Sequence, residues 1–136
     1  MSAVTLIRAS DLAEAPYAYA ATAPKDARLI FLAGACPLDD DGAVVGAGDY
    51  AGQAARCVQT LQDALAAAGA ELADVISTGV LVASAQRADL VTAWNVVRDG
   101  FDDHDVPSTL MGVTVLGYEN QLVEIEAIAA VVDGPS

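Results

Sequence analysis

The chain has 136 residues, 19 of them acidic against six basic, for a net charge of −13 with 54% hydrophobic residues. That length fits one domain, residues 1–136, with a single sizeable core. The charge argues against a nucleic-acid partner, because binding a polyanion needs a basic surface that releases counterions. No run of residues approaches the roughly 18–20 apolar positions of a membrane helix, so no membrane span is expected.

Mean hydropathy is nevertheless +0.42, and a small domain this apolar is expected to hide part of its surface in a permanent oligomer interface. The first twenty residues do not combine a basic start, an apolar centre and a small-residue cleavage site, so the expected location is the cytoplasm. Cys36 and Cys57 lack a CxxC spacing, and with only His104 as a further soft ligand no metal site is expected. Both thiols read as small buried hydrophobes.

Residues 4–8 are a short strand candidate, and 17–22 is expected to pair with 29–35 across the turn Ala23-Pro24-Lys25-Asp26-Ala27. The acids and glycine of 37–42 break any regular pattern and read as a surface turn. From Tyr50 to Ala68 the apolar stripe Ala54, Val58, Leu61, Leu65, Ala68 predicts an amphipathic helix, with Asp49 as its cap and Gly69 at its end. Residues 74–83 form a nearly continuous apolar strand of the kind found in a sheet centre. A second helix over 88–101 places Leu90, Ala93, Trp94 and Val97 on one stripe, and Asp102-Asp103-His104-Asp105 ends it. Strands over 109–116 and 122–132 follow, joined by Gly117-Tyr118-Glu119-Asn120-Gln121 as a glycine-led hairpin loop. The order β-β-β-α-β-α-β-β predicts an α+β domain with two helices on one face of a mixed sheet. The opposite face is expected to meet other copies of the chain in a closed ring, with clefts between subunits.

The last strand carries the sharpest chemical signal. With a side-chain period of two, Val123, Ile125 and Ala127 point to one face, and Glu124, Glu126 and Ile128 to the other. A carboxylate taken out of water must be hydrogen-bonded, paired or protonated, and burial moves carboxylic acids towards the range useful for proton transfer. The alternative is that these glutamates lie at an edge or subunit boundary, facing solvent or an arginine.

Several segments resemble the RidA/YjgF (Rid, L-PSP) family over nearly the whole chain. They are Ala15-Pro16-Tyr17, Phe31-Leu32-Ala33-Gly34-Ala35-Cys36-Pro37-Leu38, Ala67-Ala68-Gly69 followed by Asp74-Val75, Trp94-Asn95, and Pro107 with the later run Val123 to Ala129. The resemblance implies a chorismate-mutase-like homotrimer with small-molecule clefts between subunits. It also implies cofactor-free hydrolysis of the reactive enamines and imines released by pyridoxal-phosphate enzymes. By the same resemblance, Glu124 positions or activates the water and Tyr17 joins it in the catalytic set, while Gly34, Asn95, Thr109 and Met111 occupy substrate-binding positions. Thr109 stands where active members carry the arginine that binds the substrate carboxylate. A guanidinium fork replaced by one neutral hydroxyl implies altered specificity. Arg98 is a candidate substitute only by its proximity in the second helix. Ala33, Ala35 and Met111 replace more polar family residues, which makes the cleft more apolar. A non-catalytic trimer that binds a small ligand or serves as a scaffold is the alternative function, and the ribonuclease label attached to the family fits poorly with the acidic charge.

Overall fold

The computed structural model describes residues 2–134. The elements run β1 (Thr5–Ile7), β2 (Ala20–Thr22), β3 (Arg28–Phe31), α1 (Tyr50–Ala67), a 3-10 turn (Leu72–Asp74), β4 (Val75–Ala83), α2 (Arg87–Gly100), β5 (Ser108–Val113) and β6 (Val123–Val131). The main sheet has the order β3-β6-β4-β5, and β1 and β2 form a separate two-stranded ribbon. β4 and β5 are parallel, connected through α2, whereas β6 runs antiparallel to both β3 and β4. The sheet is therefore mixed, with both helices on one side, as the element order predicts.

Helix α1 begins where Asp49 accepts a hydrogen bond from the Gly52 N–H at 2.9 Å, which satisfies one of the free N–H groups of the first turn. It stops at Gly69, whose φ of +80° suits a residue without a Cβ. There the Ala70 N–H reaches the Leu65 carbonyl at 2.9 Å and the Gly69 N–H reaches that of Ala66 at 3.1 Å, closing the end of the helix. Its stripe Ala54, Cys57, Val58, Leu61, Leu65 is buried against Val80, Val82, Val123, Ile125 and Ala129 of the sheet. From α2, Ala93 and Val97 enter the same core. Each such side chain, fully buried, contributes about 1.5–3 kcal/mol if aliphatic and of Val or Leu size.

Two strand pairings differ from expectation. Residues 17–22 do not pair with 29–35: β2 joins β1, with Thr5 opposite Thr22, and β3 joins β6, with Phe31 opposite Ile128. Strands of three and four residues carry too little alternation to fix a partner, and the longer β6 offers β3 a continuous edge. Nor is 117–121 a hairpin loop. β6 inserts between β3 and β4, so β5 pairs only with β4 and forms an edge of the main sheet.

Candidate functional site

The face of the sheet away from the helices is open, and the register orders its side chains in rows. Gly79 pairs with Thr109 on one side and Glu126 on the other; one step along, Leu81 pairs with Met111 and Glu124. Phe31 and Ile128 continue the surface. Phe31 is 73% exposed and Met111 42% exposed, although both belong to strands whose alternate residues are partly or fully buried. A groove of about 430 Å³ crosses this face, lined among others by Phe31, Gly34, Gly79, Thr109, Met111 and Glu126. Thr109 also borders a second groove of about 450 Å³ at the β5 edge, with Tyr17, Trp94 and Leu110.

Glu124 is half-buried and lines neither groove itself, but it lies against Gly34, which lines the first. Its Oε1 accepts hydrogen bonds from Gln121 Nε2 at 3.1 Å and from the Cys36 thiol at 3.2 Å. Its Oε2 has no hydrogen-bond partner among the described residues. Since no fully buried side-chain N or O atom among them lacks a partner, that oxygen is not sealed from solvent. Gly34 makes room for the carboxyl group: a Cβ there would lie 2.7 Å from Glu124 Cδ and nearer still to Oε2. The backbone of the Gly34 segment is held in turn, for Ala35 and Ile125 exchange N–H to carbonyl bonds of 2.7 and 3.1 Å.

Two members of this cluster were not singled out by sequence as site residues. Cys36 is half-buried rather than an inert core thiol, and its pKa is pushed up to about 11, chiefly by burial and then by its hydrogen bond to Glu124 and the charge of that carboxylate. It is therefore a neutral S–H donor near pH 7. Gln121 is buried, its amide oxygen accepting from the Tyr118 N–H at 3.1 Å while its nitrogen donates to the Val123 carbonyl as well as to Glu124. The available signal was position: Gln121 precedes Glu124 by three residues, and Cys36 follows Gly34 by two. Cys57 does behave as expected, fully buried with its thiol directed at the Val123 carbonyl at 3.4 Å.

The remaining predicted residues separate. Tyr17 lies in the segment between β1 and β2, where its ring meets Trp94 edge-on at 6.3 Å and Tyr19 at 5.8 Å. Arg8 ties this segment down by donating to the Ala15 and Tyr17 carbonyls and pairing with Asp105. The structure thus brings Gly34 next to Glu124, Thr109 and Met111 into the first groove, and Tyr17 to Thr109 at the second. Asn95 is exposed on α2 and lines neither groove. Arg98 borders a small cavity with Trp94, Phe101 and His104, so it does not supply a base to the Thr109 grooves within one chain. No basic side chain lines either groove. Arg28 and Arg56 pair with Asp133 and Asp40 elsewhere. Among the described residues there is no cluster of three His, Cys, Asp or Glu able to hold a metal ion, and no helix is long and apolar enough to cross a membrane.

The sequence profile described as endoribonuclease L-PSP matches residues 9–131. Among solved structures, YyfB of Yersinia pestis, a Rid-family protein of unknown function, is 24% identical over 95% of this chain and 99% of its own, with a TM-score of 0.88. A YjgF-family protein from Mycobacterium tuberculosis is 27% identical over 94% of this chain and 99% of its own, with a TM-score of 0.63. A putative endoribonuclease from Thermotoga maritima is 28% identical over 95% of this chain and 93% of its own, with a TM-score of 0.68. No match is found among curated proteins.

Proposed function

Because the chain belongs to the L-PSP family, that of the RidA/YjgF proteins, we propose that it is a trimeric hydrolase of reactive imines or enamines, acting without a bound cofactor on substrates that lack the usual carboxylate anchor. The observation that carries this reading is the state of Glu124. One carboxylate oxygen is held by two neutral donors, and the other lies against Gly34 with no hydrogen-bond partner among the described residues and is not sealed from solvent. A fixed carboxylate with one available oxygen can accept a proton from water as that water attacks the imine carbon. With the imine nitrogen protonated, this addition gives a carbinolamine; Glu124 then returns its proton to that nitrogen, and as the carbinolamine hydroxyl gives up its own proton the C–N bond breaks to leave a carbonyl compound and ammonia. Family members are often enamine or imine deaminases, which places the reaction within the family's range.

Substrate selection follows from the groove lining. Thr109 and Met111 present a hydroxyl and a thioether, and neither groove contains a cationic side chain. A 2-imino carboxylate entering such a groove gives up hydration without receiving a charge-assisted fork in return. Neutral or aromatic imines carry no such cost, and Tyr17 and Trp94 provide an aromatic wall beside Thr109. The exposed apolar residues of the open face, with Phe31 foremost, support burial against neighbouring copies. Tyr17, at the β5 edge, would then serve a cleft shared between subunits. RNA hydrolysis is disfavoured by the net charge of −13.

A groove without a cationic side chain also suits a small apolar ligand that is held without being transformed, which is the second reading. Ammonia release from freshly generated imines separates the two, with wild type compared against Glu124→Ala and Thr109→Arg and an active family member as control. Turnover of an uncharged or aromatic imine by wild type, lowered about 10²- to 10⁴-fold in Glu124→Ala, is the expected result. An inert wild type with Thr109→Arg active on 2-imino acids would transfer the argument to the binding reading. Light scattering on the same preparations checks the trimer.

A further inference from the structure

We infer that Gln121 and Cys36 are positioning residues for Glu124, holding Oε1 from two sides so that Oε2 alone is presented for proton transfer. This rests on the reading of Glu124 as the base, and its physical basis is the direction of the hydrogen bonds. Both donors converge on one oxygen, at 3.1 and 3.2 Å, and the missing side chain at Gly34 leaves room for the other, which has no hydrogen-bond partner among the described residues. A carboxylate held on one oxygen has lost rotation about its terminal bond, so the free oxygen occupies one place relative to the groove.

The two donors are themselves anchored by different parts of the chain. Gln121 is fixed by its bonds to Tyr118 and Val123. The loop carrying it is tied to α1 through Gln53, a fully buried residue that donates to the Asn120 carbonyl at 2.9 Å and accepts from the Leu122 N–H at 2.7 Å. Cys36 follows the β3 edge, and its carbonyl accepts from the Thr60 hydroxyl of α1 at 3.0 Å. Helix α1 therefore sets the spacing of both donors while contributing no residue to the groove. The titratable groups around Glu124 are Cys36 from the post-β3 segment, Cys57 from α1 and Glu126 from its own strand, and of these only Cys36 bonds to it.

Two readouts test the assignment. The first needs no substrate: alkylation of Cys36 by iodoacetamide is followed against pH by mass spectrometry in wild type and Glu124→Gln. In wild type the bond to Glu124 and its negative charge oppose thiolate formation, so removing the charge lowers the thiol pKa from about 11 and alkylation sets in at lower pH. Burial, the largest cause, remains, so only part of the elevation is lost. The Gln121 side-chain amide signals should move in the same variant by NMR. An unchanged alkylation profile and unchanged amide signals overturn the proposal whatever the enzyme does.

The second readout is kinetic, on an imine that wild type hydrolyses. Cys36→Ala and Gln121→Leu should lower kcat by about ten- to a hundredfold with KM held, since the groove lining is intact. Cys36→Ser, which restores an O–H donor, should recover most of the loss. Should Gln121→Leu fail to fold, the Cys36 pair still decides the matter: wild-type kcat in Cys36→Ala, or no recovery in Cys36→Ser, overturns the proposal. If wild type is inert on every imine, the hydrolase reading falls, and the alkylation and NMR arm alone supports or overturns the placement of Glu124.

Discussion

The two faces of the main sheet are made by the same strands yet follow different rules. On the helix side, Val80, Val82, Val123, Ile125 and Ala129 are inaccessible to solvent and pack against α1 and α2. On the other side, one residue along each strand, lie Gly79, Leu81, Thr109, Met111, Glu124 and Glu126. The first set is interchangeable in chemistry and constrained in volume. The second is varied in chemistry and constrained in position, since a glycine, a hydroxyl and a carboxylate in one row have no packing rationale. Alternation lets one short strand serve both purposes, with stability carried by odd positions of β6 and chemistry by even ones.

Neighbouring residues on β6 give the sharpest way to break this comparison. Ile125→Ala removes a fully buried side chain from the covered face and should cost about 2–5 kcal/mol in urea unfolding, the range for large aliphatic residues cut back in a core. Glu126→Ala, at an exposed position on the open face, should stay within about 0.5 kcal/mol. Equal losses at the two positions would mean that the open face is as tightly packed as the core, and the division of labour would fail.

Gly34→Ala sharpens the comparison from the other side. The added methyl group would collide with the Glu124 carboxyl, which is the end of a flexible side chain and can swing away. Stability should therefore change by less than about 1 kcal/mol, whereas kcat for imine hydrolysis should fall about tenfold or more as Oε1 leaves its donors. A large drop in the urea midpoint with kcat unchanged would show that Gly34 serves the backbone rather than the carboxylate.

The division between faces was legible in the sequence because it is local. Alternation along 122–132 identified which residues of β6 face the core, and the stripes of α1 and α2, together with Asp49 and Gly69, located the helices and the ends of α1. Strand partners were less legible. β2 has three residues, Ala20-Ala21-Thr22, too few and too uniform to favour one partner, and the insertion of β6 between β3 and β4 is a choice made by the whole sheet. The site was half legible for the same reason. Glu124 stood out as a charge in an apolar strand, but the bond from Cys36 spans 88 positions of sequence. A cysteine next to a proline carries no mark of the carboxylate it will meet. Tyr17 and Asn95, carried over by resemblance, share neither a groove nor a hydrogen bond with Glu124 within the chain.

The smallest expected effect lies at the rim where the two faces end. Arg28 of β3 grips Asp133, just beyond β6, through Nε and Nη2 at 3.1–3.2 Å. The hydrogen bond and attraction raise the pKa of Arg28 and lower that of Asp133. A depressed carboxylate pKa stabilises the fold above the unfolded-state value, and that contribution is lost as pH falls through the folded value. The pair nevertheless stands in water, where salt screens it and ordering two side chains offsets much of the attraction. Asp133→Asn should therefore leave the urea midpoint at neutral pH nearly unchanged, with any difference from wild type shrinking in acid and in high salt. A substantial loss at neutral pH would mean that β3 is held to β6 by its charged rim. The alternation of buried Ile30 and exposed Phe31 along β3 would then matter less to the sheet than its terminal ion pair.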